Sequence, residues 1–313
     1  MRSPVERLSR LSQSLGIELL VKRDDLLAFP LAGNKVRKLF AELSGIEADV
    51  VVTNGAITSN HCRTLAIMAA QGGFACHLVL HGAPTQPGGA AALKMLADLG
   101  ARVTIALPSD IRSTISEIAD RSLREGRTAH IVAGGCHTPA GARAYYTAAG
   151  ETLTEHTPDV IVVASGTGAT QGGIVAAAHS AAPTCRVVGF SVARSSARGL
   201  AAVAEAAVWA GAPTDILVDF RDSHLDGGYG LHGPSTDAAV RTGWRQGLPL
   251  DYTYTGKAFA GLLDLVASGE IKRGEKVLFW HTGGLGTYLA EVQMPFGHDP
   301  KRSEPSTPDG ARV

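Results

Sequence analysis

Short apolar runs alternate with helical patterns along most of the chain. The runs are rich in Val and Ile and are bounded by Gly, Asp or Pro, which is typical of buried strands. They lie at Val50–Thr53, Cys76–Leu80, Val103–Ala106, Ala129–Val132, Val160–Val163, Arg186–Phe190 and Lys276–Trp280. Helix-length segments between them include 59–71, 88–98, 109–125 and 171–179. This alternation predicts an α/β fold with mostly parallel sheets and helices on both faces.

The length of the chain favours two domains. It has 313 residues, and a single hydrophobic core stops growing at about 250–300 residues. One sheet would be built from residues 46–149, as a small domain. The other would be built from residues 1–45 and 150–313, as a large domain. The tail from Gly297 to Val313 is rich in Pro, Ser, Lys and Asp, and we expect it to be loose.

The composition is that of an ordinary globular protein, with 45% apolar and 19% charged residues. Lys+Arg and Asp+Glu both total 29, so the net charge is zero, which argues against nucleic acid or an anionic membrane as the main partner. No C-x-x-C pair occurs among the four cysteines, and the N-terminus lacks an apolar leader segment. We therefore predict a protein of the reducing cytoplasm.

Lys35 follows Gly33 at the predicted start of a helix over residues 35–43. A lysine forms imines with carbonyl cofactors when its amine can lose a proton, and partial burial lowers its pKa in that direction. Cations at a helix start oppose the helix dipole. The run Lys35, Arg37 and Lys38 therefore calls for an anionic partner, such as a cofactor phosphate.

Two further segments favour anion binding. Ser59-Asn60-His61 follows a predicted strand and suits a helix N-terminus, where exposed N–H groups also bind a carboxylate. Residues 165–173, Ser-Gly-Thr-Gly-Ala-Thr-Gln-Gly-Gly, also follow a strand and open a helix, as expected for a phosphate cradle. A dinucleotide fingerprint would need glycine at 171, which is Gln, and the next strand ends without Asp or Glu, offering only Arg194. Together with Lys35, these segments suggest pyridoxal phosphate.

Other residues carry weaker signals. A group of late residues lies in or beside glycine-containing turns, and it consists of Tyr229, Tyr252, Tyr254, Thr255 and Thr282. Tyrosines in such turns are often only packed amphipathic residues. Potential metal ligands at His61, Cys62, Cys136 and His137 match no ligand spacing, so we predict no metal.

With these residues in view, the sequence resembles the D-cysteine desulfhydrase / 1-aminocyclopropane-1-carboxylate deaminase family of fold-type II pyridoxal-phosphate enzymes. The resemblance implies a two-domain fold like that of the tryptophan synthase β subunit, and a cytoplasmic homodimer acting on a small amino acid. The matching segments are 4–8, 21–25, 33–39, 55–61, 165–170, 229–231, 254–257 and 281–285.

The resemblance also implies roles for individual residues. Lys35 would carry the cofactor and deprotonate the substrate Cα, and Asn60 would lie against the ring hydroxyl. Ser59, Asn60 and His61 would contact the substrate, and Tyr254 and Tyr229 would line the reacting side. Thr282 would face the pyridine nitrogen. The phosphate would be held by Gly166, Thr167, Gly168, Ala169, Thr170 and Lys38.

Two positions divide the family. Ring-opening deaminases have Glu after the motif tyrosine and Leu after the histidine, whereas desulfhydrase-like members have small hydroxyl residues, as here at Thr255 and Thr282. The resemblance therefore implies α,β-elimination from a β-substituted alanine, with D-cysteine as the named substrate giving pyruvate, ammonia and hydrogen sulfide. L-cysteate sulfo-lyase activity is a close alternative, because His137 could accept a sulfonate, and cyclopropane opening and an NADP-dependent oxidoreductase are more remote.

The chain also departs from the family pattern, and we expect several of the departures to surround the substrate. These positions are Phe40, Thr58, Cys136, His137, Tyr252, Thr253, Gly286 and Thr287.

Overall fold

The computed structural model describes residues 1–292, so the predicted loose tail over 297–313 lies outside the described residues. Ten strands are present in this part of the chain: β1 Val5–Arg7, β2 Glu18–Arg23, β3 Val50–Ala56, β4 Ala75–His81, β5 Arg102–Ile105, β6 Ala129–Ile131, β7 Val160–Ser165, β8 Arg186–Ser191, β9 Asp219–Arg221 and β10 Lys276–His281. Eleven α-helices accompany them: α1 Ser9–Leu15, α2 Asn34–Leu43, α3 Asn60–Gly72, α4 Gly89–Asp98, α5 Ile111–Arg124, α6 Pro139–Glu155, α7 Ala169–Ala181, α8 Ser196–Trp209, α9 Pro234–Arg245, α10 Thr255–Ala267 and α11 Leu285–Glu291.

Two separate sheets organise these elements. The larger has the order β1-β2-β10-β7-β8-β9, and β1 is its antiparallel strand. The smaller has the order β5-β4-β3-β6 and is parallel throughout. The prediction of an α/β fold with mostly parallel sheets is confirmed.

Helices cover both faces of the larger sheet, because its strands are apolar on both sides. In β10, Leu278 and Trp280 pack with α6, α7 and α8, whereas Val277 and Phe279 pack with α9 and α10. Side chains alternate across a strand, so a strand buried on both faces has an unbroken apolar sequence. This is why β7 and β10 could be recognised from the sequence without any structure.

The strands of the smaller sheet all lie between residues 50 and 131. Helix α6 begins at Pro139, and Tyr145 and Ala149 belong to the core of the larger sheet. The predicted domain division stays a prediction, and this packing favours moving its boundary ahead of Pro139. Within residues 1–292, no helix combines the length and the apolar character needed to cross a bilayer.

Candidate active site

A cavity of about 480 Å³ opens where the carboxyl ends of strands from both sheets meet. Ligands of open α/β sheets bind at such carboxyl edges. The residues that line it end β3 and β4, follow β6, β7 and β8, or lie at the start of α3, together with Lys35 and two tyrosines. The lining residues are Lys35, Asn54–Ala56, Ser59, His61, His81, Gly134, Gly135, Gly166, Thr167, Val192–Arg194, Tyr229 and Tyr254.

Lys35 lies in the first turn of α2, whose start is bound tightly to the end of β10. The Asn34 N–H donates to the Thr282 carbonyl at 2.9 Å. A β-carbon on Gly33 would lie 2.5 Å from that same oxygen, so only glycine permits this approach. The contact between the Gly33–Asn34 segment and the end of β10 thereby fixes where Lys35 enters the cavity.

Two lysine amines meet at one carbonyl oxygen below the cavity. Lys38 Nζ donates to the Gly135 carbonyl at 2.6 Å, and Lys35 Nζ lies 3.4 Å from the same oxygen. Burial lowers the pKa of Lys35, and burial together with the Lys35 charge lowers the pKa of Lys38 well below its ordinary value. Lys35 can therefore present a neutral amine, as imine formation requires.

Ser59 and Asn60 begin helix α3. The Ser59 hydroxyl accepts from the Cys62 N–H at 3.5 Å, as an N-cap. Thr287 donates to Asn60 Oδ1 at 3.0 Å, which leaves the Asn60 NH2 group as the free donor. Thr287 is one of the departures from the family pattern, and here it orients a predicted cofactor-binding amide.

The tautomer of His61 follows from its neighbours. The Thr53 hydroxyl donates its one proton to the Val132 carbonyl at 2.7 Å, so at 2.8 Å it must accept from His61 Nε2–H. His61 is 1% exposed, and its Nδ1 has no hydrogen-bond partner among the described residues. Burial, with the nearby lysines, lowers the pKa of His61 well below its ordinary value, so Nδ1 is a buried acceptor at the cavity wall.

The predicted phosphate cradle runs from the end of β7 into α7. Asn34 Nδ2 donates to Thr170 Oγ1 at 3.0 Å, which leaves the Thr170 proton free to donate elsewhere. The buried Ser165 hydroxyl has no partner among the described residues. The N-cap of α7 is Gly168, which provides no side-chain cap for the free N–H groups of Ala169 and the residues after it. The segment therefore offers unused donors, as a phosphate requires.

Tyr229 and Tyr254 face one another at the cavity wall. Their hydroxyls are hydrogen-bonded, and their rings meet edge to face with centroids 5.8 Å apart. Burial raises the pKa of Tyr254 well above its ordinary value, and Tyr229 adds to the effect. The Tyr254 hydroxyl is therefore neutral.

The two positions that divide the family are buried beside this wall. Thr255 donates to Asp251 Oδ1 at 2.6 Å, at the start of α10. Thr282 is 7% exposed, and its carbonyl binds the start of α2. The Thr255 hydroxyl therefore donates its proton to a group within the fold, Asp251.

The structure brings together at the cavity only part of the predicted site. The predicted residues that line it are Lys35, Ser59, His61, Gly166, Thr167, Tyr229 and Tyr254. Those outside the lining are Lys38, Asn60, Gly168, Ala169, Thr170 and Thr282.

The departures from the family pattern, which we expected around the substrate, lie outside the lining of this cavity. His137 contacts Glu205 at 3.2 Å and packs on Trp209. The Phe40 side chain is exposed on a different surface. A β-carbon on Gly286 would lie 2.9 Å from the Arg63 guanidinium, so the glycine leaves room for it. The expectation of a substrate contact at His137 is therefore not supported.

Sequence reasoning missed Arg194, His81 and Asn54, which line the cavity. Arg194 follows the end of β8, next to the phosphate cradle in the parallel sheet. Its position after a strand end was the available signal, because neighbouring parallel strands end at the same edge.

Known proteins are similar to this chain over most of its length. Residues 1–283 match the model of the pyridoxal-phosphate dependent enzyme family. A protein of Pyrococcus horikoshii, described as a candidate 1-aminocyclopropane-1-carboxylate deaminase, is 34% identical over 297 residues, covering 91% of this chain and 90% of its own. A D-cysteine desulfhydrase of Yersinia pestis is 33% identical over 307 residues, covering 92% and 93%.

Solved structures agree with the sequence comparisons. The crystal structure of an ACC deaminase homologue superimposes with a TM-score of 0.81 at 34% identity, covering 92% of this chain and 91% of the other. The processed form of threonine deaminase isoform 2 from Solanum lycopersicum has a TM-score of 0.67 at 17% identity, covering 90% and 84%, and this shows the shared fold alone.

Proposed function

The chain belongs to the family of pyridoxal-phosphate dependent enzymes, and we propose that it is a lyase that removes the β-substituent of a β-substituted alanine. The resemblance and the fold type predicted from the sequence are confirmed. The named substrate is D-cysteine, which with water would give pyruvate, ammonia and hydrogen sulfide. The cytoplasmic location and the homodimer stay predictions.

The residues present fit pyridoxal phosphate. Two unused hydroxyl donors, Ser165 and Thr170, flank the helix N-terminus expected to hold the phosphate. Among the described residues that line the cavity there is no Asp or Glu, so no fixed negative charge opposes an anionic cofactor. When bound, the cofactor withdraws electrons from the substrate Cα and weakens its C–H bond.

Lys35 carries the proposal, because its part-buried amine has a lowered pKa and lies in the cavity. Lys35 would hold the cofactor through Nζ and later take the proton from the substrate Cα at the same atom. The Asn60 NH2 group, oriented by Thr287, would donate to the ring hydroxyl. Ser59 at the start of α3 would bind the substrate carboxylate.

The choice of elimination over ring opening rests on Thr255 and Thr282. A hydroxyl at Thr282 can hydrogen-bond the pyridine nitrogen but is a poor proton donor. This favours substrates whose β-substituent leaves readily. Relatives of both kinds match the chain over most of its length, so the proposal turns on these two side chains and on the hydrogen-bonded hydroxyls of Tyr229 and Tyr254.

The test is pyruvate release by the cofactor-loaded protein given D-cysteine, with L-cysteine, L-cysteate and 1-aminocyclopropane-1-carboxylate in parallel. We expect Lys35→Ala to lower turnover by at least about 10²–10⁴-fold and to abolish the borohydride-reducible cofactor absorption. Lys94→Ala, which changes a lysine whose side chain is 76% exposed, is the matched control. Full activity in Lys35→Ala would disprove the assignment, and release of 2-oxobutyrate from the cyclopropane substrate alone would replace elimination by ring opening.

A further inference from the structure

Lys257 is a fully buried lysine that the proposed function has not used. It is 0% exposed and lies in the first turn of α10. Its Nζ donates to the Leu225 carbonyl at 2.6 Å and to the Gly228 carbonyl at 2.9 Å. Burying an ammonium group is costly unless hydrogen bonds compensate it. The two carbonyls that do so here belong to the segment that carries Tyr229, a residue of the cavity wall.

The Leu225 and Gly228 carbonyls belong to two consecutive turns. The Gly228 N–H donates to the Leu225 carbonyl at 3.0 Å, and the Leu231 N–H donates to the Gly228 carbonyl at 3.3 Å. A carbonyl oxygen has two lone pairs, so each one accepts from the backbone and from Lys257 together. Lys257 thereby ties the two turns to each other, and Tyr229 directly follows the residue that they share.

The backbone around Tyr229 needs such a tie. Gly228 and Gly230 flank the tyrosine, with φ of 137° and 76°, and glycine has the widest conformational freedom of any residue. Tyr229 is also 38% exposed, so packing holds only part of it. A side chain in a segment of this kind is placed accurately only when further contacts fix its backbone.

The start of α10 holds Tyr229 from two ends. Tyr254 directly precedes the helix, and its hydroxyl is hydrogen-bonded to the Tyr229 hydroxyl. Lys257, three residues later, holds the carbonyl directly before Tyr229. The helix start is itself fixed, because Asp251 accepts from the N–H groups of Tyr254 and Thr255 at 2.8 and 2.9 Å. One helical turn therefore sets how the two tyrosines of the cavity wall meet.

On the basis of the proposed function, we propose that Lys257 is a positioning residue that holds the Tyr229 hydroxyl against the Tyr254 hydroxyl at the reacting side of the cavity. Lys257 lies outside the lining, so it acts through Tyr229 and not on the substrate. Loss of the ammonium group would release both turn carbonyls and let Tyr229 move. A misplacement of about 1 Å at an active site can lower the rate about 100-fold.

The experiment is a double-mutant cycle between Lys257→Met and Tyr229→Phe in the cofactor-loaded protein. Pyruvate release is measured with D-cysteine, L-cysteine and L-cysteate, and kcat and KM are determined for the substrate that the wild type converts fastest. We expect each single variant to lower kcat/KM by about 10–100-fold, mainly through kcat. Because Lys257 acts through Tyr229, adding Lys257→Met to Tyr229→Phe should lower kcat/KM by less than about a further threefold.

Lys22→Met is the matched control. Lys22 in β2 is 6% exposed, and its Nζ donates to the Ser3 carbonyl at 2.7 Å, so this variant also removes a buried ammonium group from a backbone carbonyl. We expect it to change kcat/KM by less than about threefold. Amide hydrogen exchange of residues 225–231 should become faster in Lys257→Met and stay unchanged in Lys22→Met. Lys257→Gln, which keeps an N–H donor, replaces Lys257→Met if that variant does not fold.

Three outcomes would overturn the inference. If the two single losses multiply in the double variant, Lys257 does not act through Tyr229. If exchange of residues 225–231 or kcat/KM is unchanged in the folded Lys257 variant, the ammonium group does not position the segment. In both cases the wild type still releases pyruvate, so the proposed function stands. If the wild type releases pyruvate from none of the three substrates although the cofactor is bound, the proposed function fails and the inference fails with it.

Discussion

Helix α2 carries two groups of buried basic side chains on different sides. One group is paired with a carboxylate, whereas the other shares a neutral carbonyl. On one side Arg37 donates to Asp24 Oδ1 through Nε and Nη2, at 3.0 and 2.8 Å. Asp24 also accepts from Tyr145 and Trp280, at 2.6 and 2.8 Å. On the other side the buried Lys38 and the part-buried Lys35 share one neutral carbonyl.

The paired charges on one side of α2 stabilise the fold, whereas the unpaired lysines on the other side are available for binding. Burial alone would raise the pKa of Asp24, but the Arg37 charge and the hydrogen bonds hold it below its ordinary value. Burial likewise lowers the pKa values of Lys35 and Lys38, because no carboxylate within residues 1–292 compensates it. A paired buried charge anchors the helix, whereas an unpaired one is left ready for an anion.

Asp24→Asn should have the largest effect on stability, because it leaves Arg37 as an uncompensated buried charge. We expect the free energy of unfolding to fall by about 3–5 kcal/mol, measured by urea denaturation of the cofactor-free protein. The exposed pair of Lys94 with Asp98 is the matched comparison, and Lys94→Ala should cost about 0.5 kcal/mol or less. Equal losses in the two variants would contradict the contrast between paired and exposed charges.

Thr53→Val, beside His61 at the cavity wall, should have an intermediate effect on the free energy of unfolding. It removes the acceptor of His61 Nε2–H and the donor to the Val132 carbonyl. We expect a loss of about 1–3 kcal/mol in the free energy of unfolding. The 15N shifts of the His61 ring should show an Nε2-protonated ring in wild type and in Thr53→Ser. An unchanged tautomer in Thr53→Val would show that Thr53 does not select it.

Lys38→Met should have the smallest effect, with the opposite sign. Removing the desolvated amine should stabilise the cofactor-free protein by about 1 kcal/mol at pH 7, while weakening retention of pyridoxal phosphate. The pKa of Lys38 is about 10.5 in the unfolded chain and is lowered in the folded protein. At a pH between the folded-state and unfolded-state pKa values, the unfolded chain therefore binds more protons, and the stability of the wild type rises with pH. The advantage of Lys38→Met should therefore shrink as pH approaches 10.5, and an advantage independent of pH would contradict the assignment.

Much of the fold was predictable because its strands are buried on both faces. β7, β8 and β10 have continuous apolar sequences, and their predicted limits agree with the structure to within two residues. Strand β2 was not predicted, although it has six residues. The short strands β1 and β9 were not predicted either. They lie at the two edges of the larger sheet, where pairing depends on the neighbouring strand.

The candidate site was predicted to a smaller extent. Lys35, Ser59 and the segment 165–170 were found because each lies at a helix start after a strand or a glycine. The Thr287 contact with Asn60, which spans 227 positions, carries no local signal. Such a pair is invisible to periodicity, which reports only on neighbours along the chain.

The sequence by itself determined the parallel α/β architecture, the cofactor and the order of the loops at the carboxyl edge. Only the tertiary structure decided which charges are paired. Asp24 meets Trp280 across 256 positions, and the Thr53 hydroxyl selects the tautomer of His61. Apolar patterns act locally through burial, whereas the free energy of a buried charge depends on groups that chain folding brings within a few ångströms.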